Sequence, residues 1–268
     1  MAKLKLENRW ILVTGASSGL GRQIAYRLAE FERANLILAA RRQELLERIG
    51  RDIQRRYQRQ VRSIKVDLSR ESGARDLFAA ATAECSVFAV INNAGMTSYQ
   101  STSSRLLEEY RQIFHINYHS LMKLTLFFYD YFRDRGEGAI LNVTSAAAFM
   151  PIPYQNVYAA SKHAAQAFTE GLIAENQNRN VFISTFAPGG IATEMIRKAG
   201  LDKKYKLNSI YYMKPRTVAR RAIKCLKFKR HIKIPGMGNK VVYFLTRLFP
   251  RRWVVQVASY FYKHPDIS

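Results

Sequence analysis

Residues Trp10 to Gly21 read W-I-L-V-T-G-A-S-S-G-L-G. Trp10–Thr14 is a short apolar run of the length of a buried strand. Glycines follow at Gly15, Gly19 and Gly21, and a helical pattern then continues through Arg33. Strand, glycine turn and helix in that order let backbone approach a pyrophosphate at a helix N-terminus, where free N–H groups and the dipole favour anions. A loose glycine pattern carries little information by itself; its place between a strand and a helix makes it specific. The expected fold class is therefore α/β, opened by a dinucleotide-binding unit.

Working outward, the second strand, N-L-I-L-A-A over Asn35–Ala40, ends in Arg41-Arg42. About 20 residues past such a glycine turn, an acid would serve the ribose hydroxyls of NAD, whereas an arginine accommodates a 2′-phosphate. Arg41 stands at that distance, so NADP(H) is expected over NAD(H). A basic amphipathic helix is predicted from about Gln43 to Arg59. A third strand, within S-I-K-V-D-L-S, is read as ending in Asp67, whose carboxylate could accept from an adenine amino group or cap a helix starting near Arg70. A fourth strand, Val87–Ile91, closes in a turn N-N-A-G at Asn92–Gly95. A long helix is predicted from about Ser103 to Phe132, interrupted by His115, Asn117 and His119. Asn competes for backbone groups inside a helix, so Asn117 alone reads as a buried hydrogen-bonding residue. The two histidines have no third ligand motif beside them, and no metal is expected.

The fifth strand, Ala139–Thr144, delivers Ser145 to its carboxyl end, where ligands of open α/β sheets gather. Thirteen positions later comes Tyr158, and Lys162 lies four beyond it, on the same face of a predicted helix. A phenol has a pKa of about 10. A fixed ammonium beside it should lower that value and make Tyr158 a usable proton donor to a carbonyl. Ser145 would polarise the same oxygen. A sixth strand, Val181–Ala187, leads to the turn P-G-G-I-A-T at Pro188–Thr193. The stretch Glu194–Met213, with Met195, Ile196, Leu201, Tyr211, Tyr212 and Met213, is a candidate lid. A helix over Pro215–Lys227 and a short last strand near Ile232 complete the pattern.

At 268 residues and 48% hydrophobic, the chain can bury one sizeable α/β core. Cys85 and Cys225 have no metal-ligand spacing and suit a reducing compartment. No signal peptide fits the N-terminus, and a cytoplasmic location, with membrane association as an option, is expected. Forty-three Lys and Arg against 20 Asp and Glu leave a net charge of +23, which attracts phosphorylated ligands, anionic membranes or nucleic acid. No nucleic-acid module is recognisable, so nucleic acid is not an expected partner.

Together these elements resemble the short-chain dehydrogenase/reductase family over about Asn8 to Met195, with the motifs in the family's order. The resemblance implies a doubly wound Rossmann fold: a mostly parallel seven-stranded sheet with helices on both faces. The domain is expected over 1–238, followed by an amphipathic helical tail over 239–268. It implies cofactor contacts from Gly15, Ser17, Ser18, Gly19 and Leu20, from Asp67 and Leu68, and from Asn93, Ala94 and Gly95. Pro188, Gly189, Ile191 and Thr193 match the segment that holds the nicotinamide amide. Asn117, Ser145, Tyr158 and Lys162 match the catalytic tetrad, in which Lys162 also bonds the ribose and Asn117 holds a water. Two departures are small: T-S-A-A-A lacks the glycine that often follows the serine, and P-G-G carries an extra glycine. The family also implies a homodimer or homotetramer.

The substrate is less legible. Phe149, Met150, Ile152 and Tyr154 suggest an adaptable apolar pocket for acyl, sterol, retinoid or sphingoid ketones and alcohols. The tail from Lys240 to Lys263 has two apolar segments around Pro250-Arg251-Arg252, too interrupted to span a bilayer. Its Trp, Tyr and Phe with flanking Lys and Arg suit a membrane interface, or packing on the domain or a second subunit. The leading expectation is an NADPH-dependent oxidoreductase acting on an apolar ketone or alcohol. The alternative is a cofactor-binding sensor or scaffold that kept the fold and does little chemistry.

Overall fold

Strands β1 (Trp10–Thr14), β2 (Asn35–Ala40), β4 (Val87–Asn92), β5 (Gly138–Val143) and β6 (Val181–Phe186) are buried almost throughout. That is why they read as continuous apolar runs instead of alternating ones: both faces of a parallel sheet are covered by helices. The computed structural model describes residues 3–101, 106–177, 180–199 and 212–262. With β3 (Val61–Lys65) and β7 (Ile232–Lys233), the strands form one seven-stranded sheet in the order β3-β2-β1-β4-β5-β6-β7, every pairing parallel. The chain winds outward from β1 to β3 and then restarts at β4 on the other side of β1. This switch point opens a crevice at the strands' carboxyl ends.

Helices α1 (Gly19–Glu32) and α2 (Gln43–Tyr57) cover one face of the sheet, and α3 (Gly73–Thr82) belongs to the other. Helix α4 (Leu107–Phe114) runs through a π turn, His115–His119, into α5 (Ser120–Arg135). The tetrad helix is α6 (Asn156–Glu175). Leu124, Phe128 and Phe132 of α5 pack on the sheet with Leu77 and Ala81 of α3. A Cβ on Gly138 would run into the Phe132 ring, so β5 and α5 meet at a contact only glycine permits. Beyond β6 come the short α7 (Glu194–Lys198), then α8 (Pro215–Lys227), which joins α1 in the first core layer and starts with proline at its first turn. Two tail helices, α9 (Met237–Leu248) and α10 (Arg251–Phe261), complete the described chain.

Several boundaries differ from the sequence expectation. The interruption predicted around Asn117 is a π turn, which keeps the helix going with a local widening instead of breaking it. β3 ends at Lys65, two residues before Asp67, and α3 begins at Gly73 rather than near Arg70. Asn92, expected in a turn, is the last residue of β4 and points into the core, donating to Asn142 Oδ1 (2.9 Å) and Thr125 Oγ1 (3.2 Å). The tail becomes helical at Met237, slightly before 239. Of the lid stretch, residues 200–211, including Leu201 and Tyr211, lie outside the described residues, as do the first residues of the long helix, 103–105, and Lys263.

Candidate active site

The carboxyl ends of six strands open into one cavity of about 1250 Å³. Every catalytic and cofactor-binding residue expected from sequence lines it, with the exception of Asn117. Of the residues expected in a substrate pocket, Met150 and Ile152 line it and Phe149 and Tyr154 do not.

At one end lies the glycine loop. Gly15 (φ +67°) and Gly19 (φ +53°) occupy the left-handed region, where a Cβ is strained. Gly21 packs so closely beneath the loop that a Cβ would collide with the Gly15 carbonyl. Ser18, at the N-cap of α1, makes no side-chain cap, and the first turn holds no acid. The helix's first N–H groups are thus left for an anion. Thr14, which sequence reasoning missed, ties this loop to β4. Its Oγ1 accepts from the backbone N–H groups of Asn93 and Ala94, both at 2.9 Å, while Asn93 Nδ2 donates to the Thr14 carbonyl at 2.9 Å. The Asn93 side chain therefore fastens β4 to β1, and its backbone with Ala94 and Gly95 faces the cavity.

Asp67 curls over its own turn, accepting from Ser69 N (3.0 Å) and Ser69 Oγ (2.7 Å). Partial burial pushes its carboxyl up, but the Ser69 hydrogen bonds and the Arg41 and Arg70 charges outweigh it and hold the group below its ordinary value. Arg41 and Leu68 line the same end. So does Arg42, which sequence reasoning left unassigned. Its guanidinium donates to Ser17 Oγ (3.2 Å) and to both carboxylate oxygens of Glu194. A basic side chain immediately after Arg41 was the available signal for Arg42; nothing local pointed to Glu194.

The glycine loop, the uncapped α1 N-terminus and the arginines at the end of β2 together fit a dinucleotide with a phosphorylated ribose. The protein groups that would hold it are those loop amides, Asp67, the Asn93–Gly95 backbone and the turn from Pro188 to Thr193.

At the other end stands the tetrad. Ser145 caps a short 3₁₀ turn, Ala146–Ala148, by accepting from Ala147 N at 3.1 Å, and it lines the cavity together with the Tyr158 phenol. Burial pushes the Tyr158 phenol above its ordinary value, and Ser145 only partly opposes this. The expected lowering by Lys162 is not seen; burial dominates the phenol's shift. Lys162 is 4% exposed, its Nζ donates to the Val143 carbonyl at 3.0 Å, and desolvation lowers it to about 8. Asn117 is fully buried behind this pair. Its Oδ1 accepts from Met96 N (2.9 Å), and its Nδ2 donates to Met96 O (2.9 Å) and Ser161 Oγ (3.0 Å). With both ends of the amide so engaged, it anchors the Gly95–Met96 backbone. A Cβ on Gly95 would stand 3.0 Å from Asn117 Oδ1 and 3.6 Å from Lys162 Nζ, so the glycine leaves room between them.

The turn after β6 closes the site. The Pro188 carbonyl accepts from Ala146 N at 2.7 Å, Ile191 bridges to Met213, and Thr193 rests against Gly19. The far wall is apolar. Met150 and Ile152 precede α6; Val242 and Leu245 come from α9, Trp253 and Val257 from α10, and Phe249 from the turn between them. The tail is held in place by Phe149 edge-on to Tyr243 (4.7 Å between ring centroids), by Tyr99 Oη donating to the Tyr262 carbonyl (3.1 Å), and by Asn239 packed over Gly189. A side chain at Gly189 would collide with Asn239.

A doubly wound sheet with a serine, a tyrosine and a lysine gathered at the end of β5 defines a dinucleotide-dependent oxidoreductase. The chain belongs to the short chain dehydrogenase family, whose profile matches residues 9–204. A Drosophila melanogaster dehydrogenase/reductase SDR family protein 7-like is 31% identical over 260 residues, 92% of this chain and 78% of that protein. The human very-long-chain 3-oxoacyl-CoA reductase is 28% identical over 200 residues, covering 72% of this chain and 64% of the reductase. Curated relatives are thus matched over roughly three fifths to four fifths of their own length, 61% for a mouse family member 7B. A Sphingobium yanoikuyae short-chain dehydrogenase in complex with NADPH has the same fold, with a TM-score of 0.79 and 23% identity over 97% of this chain and 96% of that one.

Proposed function

We propose that the chain is an NADP(H)-dependent carbonyl reductase, or the reverse alcohol dehydrogenase, acting on an apolar lipid-, acyl- or steroid-like substrate. The observation that carries this reading is the gathering of Ser145, Tyr158 and Lys162 on one cavity whose far wall is supplied by α9 and α10. Preference for the phosphorylated cofactor is supported by Arg41 and Arg42 at the end of β2, where no acid stands. The apolar substrate is supported by that far wall and by the relative named a very-long-chain 3-oxoacyl-CoA reductase.

Bound nicotinamide supplies a hydride. The protein's part is position and proton. Tyr158, whose burial keeps its proton on at neutral pH, delivers that proton to the carbonyl oxygen. Ser145 Oγ hydrogen-bonds the same oxygen as negative charge develops there. Lys162, lowered by burial to about 8 and fixed on the Val143 carbonyl, would hydrogen-bond the nicotinamide ribose and so hold the cofactor beside Tyr158. Asn117 holds the Gly95–Met96 backbone that borders the lysine.

The same proposal gives the tail a membrane-facing role. Met237, Val241, Phe244 and Leu248 form an outward stripe along α9, 50–75% exposed. Lys240, Arg247, Arg251 and Arg252 flank it, and no acid occurs between Met237 and Tyr262. An apolar stripe ringed by cations suits the surface of an anionic bilayer. No helix among the described residues is long and apolar enough to cross one. Assembly as a homodimer or homotetramer belongs to the proposal through the family alone.

The deciding experiment follows NADPH consumption by purified protein across a panel of long-chain and cyclic ketones, with Tyr158→Phe alongside. Wild-type turnover that falls by about 10²–10⁴-fold in the variant, with NADPH binding retained, is expected. Equal turnover in the two proteins overturns the assignment.

A further inference from the structure

The Arg42–Glu194 pair joins two walls of the cofactor end of the cavity that lie 152 residues apart in sequence. Arg42 follows β2; Glu194 opens α7, directly after Thr193, which rests on Gly19 of the glycine loop. One terminal nitrogen of Arg42 reaches both carboxylate oxygens, at 3.0 and 3.3 Å; the other shares Oε2 (3.3 Å) with Ser17 Oγ (3.2 Å). Ser17, Arg42, Thr193 and Glu194 thus form a clasp across the groove, over the position where a ribose 2′-phosphate meets the end of β2. Both terminal nitrogens that Arg42 could offer that phosphate are already turned toward a carboxylate.

We infer that Glu194 is a built-in competitor for the cofactor's 2′-phosphate, which must take Arg42 from it to bind; this rests on the NADP(H) reading above. Both partners are more than a third exposed, and such solvent-screened pairs contribute little. A clasp that weak yields to a phosphomonoester, which carries about −1.5 to −2 charge and matches the guanidinium fork. The displaced carboxylate then stays near the phosphate and repels it. Glu194 therefore sets NADP(H) affinity below what Arg41 and Arg42 alone would give. NADH has no group with which to open the clasp and is indifferent to it.

The test titrates NADPH, NADH and 2′,5′-ADP into wild type, Glu194→Gln, Arg42→Ala and the double variant, reading nicotinamide fluorescence or calorimetric heat. Glu194→Gln should bind NADPH and 2′,5′-ADP about fivefold more tightly, with NADH changed by less than about twofold. In the Arg42→Ala background the same glutamine should have no effect, which separates competition for Arg42 from a general gain of positive charge. Unchanged or weaker NADPH binding in Glu194→Gln, equal tightening of NADH, or a full effect without Arg42 overturns the inference. Wild type that binds NADH as tightly as NADPH overturns the NADP(H) reading itself, and the clasp with it.

Discussion

Replacing Lys162 with methionine should stabilise the cofactor-free protein while abolishing turnover. The lysine's ordinary value of 10.5 falls to about 8 in the fold because its ammonium is desolvated. At about 1.4 kcal/mol per unit, the fold carries about 3 kcal/mol of penalty while the group is charged in both states, that is, below about pH 8. Methionine keeps an unbranched stem of similar length without the charge. It forfeits the Nζ–Val143 hydrogen bond, worth about 1 kcal/mol. The net gain at pH 7 is about 2 kcal/mol, or about 4–8 °C in Tm for a domain near this size. Between about pH 8 and 10.5 the folded lysine is neutral while the unfolded one still binds a proton. Wild-type stability therefore rises with pH relative to the variant, and the variant's advantage is mostly gone by about pH 10. Calorimetric scans of both proteins at pH 7 and pH 10, without cofactor, measure this directly. A variant less stable than wild type at pH 7, or an advantage that persists unchanged at pH 10, would refute the reasoning.

Gly138→Ala should cost about 1–3 kcal/mol in denaturant unfolding, because its methyl group meets the Phe132 ring, whereas Gly171→Ala on α6, where a Cβ touches nothing, should be neutral or stabilising. Paired changes of Phe244 and Leu248 to serine should abolish co-sedimentation with vesicles containing anionic lipid. They should leave turnover of a water-soluble ketone intact, since neither residue lines the cavity. Vesicle binding unaffected by that pair counts against the membrane reading of the tail.

What could be read from the sequence was what short-range pattern encodes. Buried parallel strands announce themselves as apolar runs, and the glycine loop and the Ser145–Tyr158–Lys162 spacing each lie within a few turns of chain. The positions that escaped depend on partners far away in sequence. Asn93 and Asn117 look alike as motif residues, yet each side chain is spent on backbone, Thr14 for one and Met96 for the other. The direction of the Tyr158 shift could not be read from its spacing to Lys162, because it is set by how deeply the folded chain buries the phenol. The tail read as an appendage because nothing local reveals that Val242, Leu245 and Trp253 complete a cavity built by strands far upstream. Glu194 was invisible for the same reason.

The π turn at His115–His119 fixes the phase between two stretches of one continuous helix. An α-helix turns about 100° per residue, so the extra residue held in that turn decides which side of α5 meets the sheet. Removing one residue there would let the chain relax into uninterrupted α-helix and swing Leu124, Phe128 and Phe132 away from β4 and β5, or drag Asn117 out of its socket. A change of length in this stretch therefore disturbs the helix on both sides of it, beyond the loss of any one side chain. Its residue count is as much a part of the site as any functional group it carries.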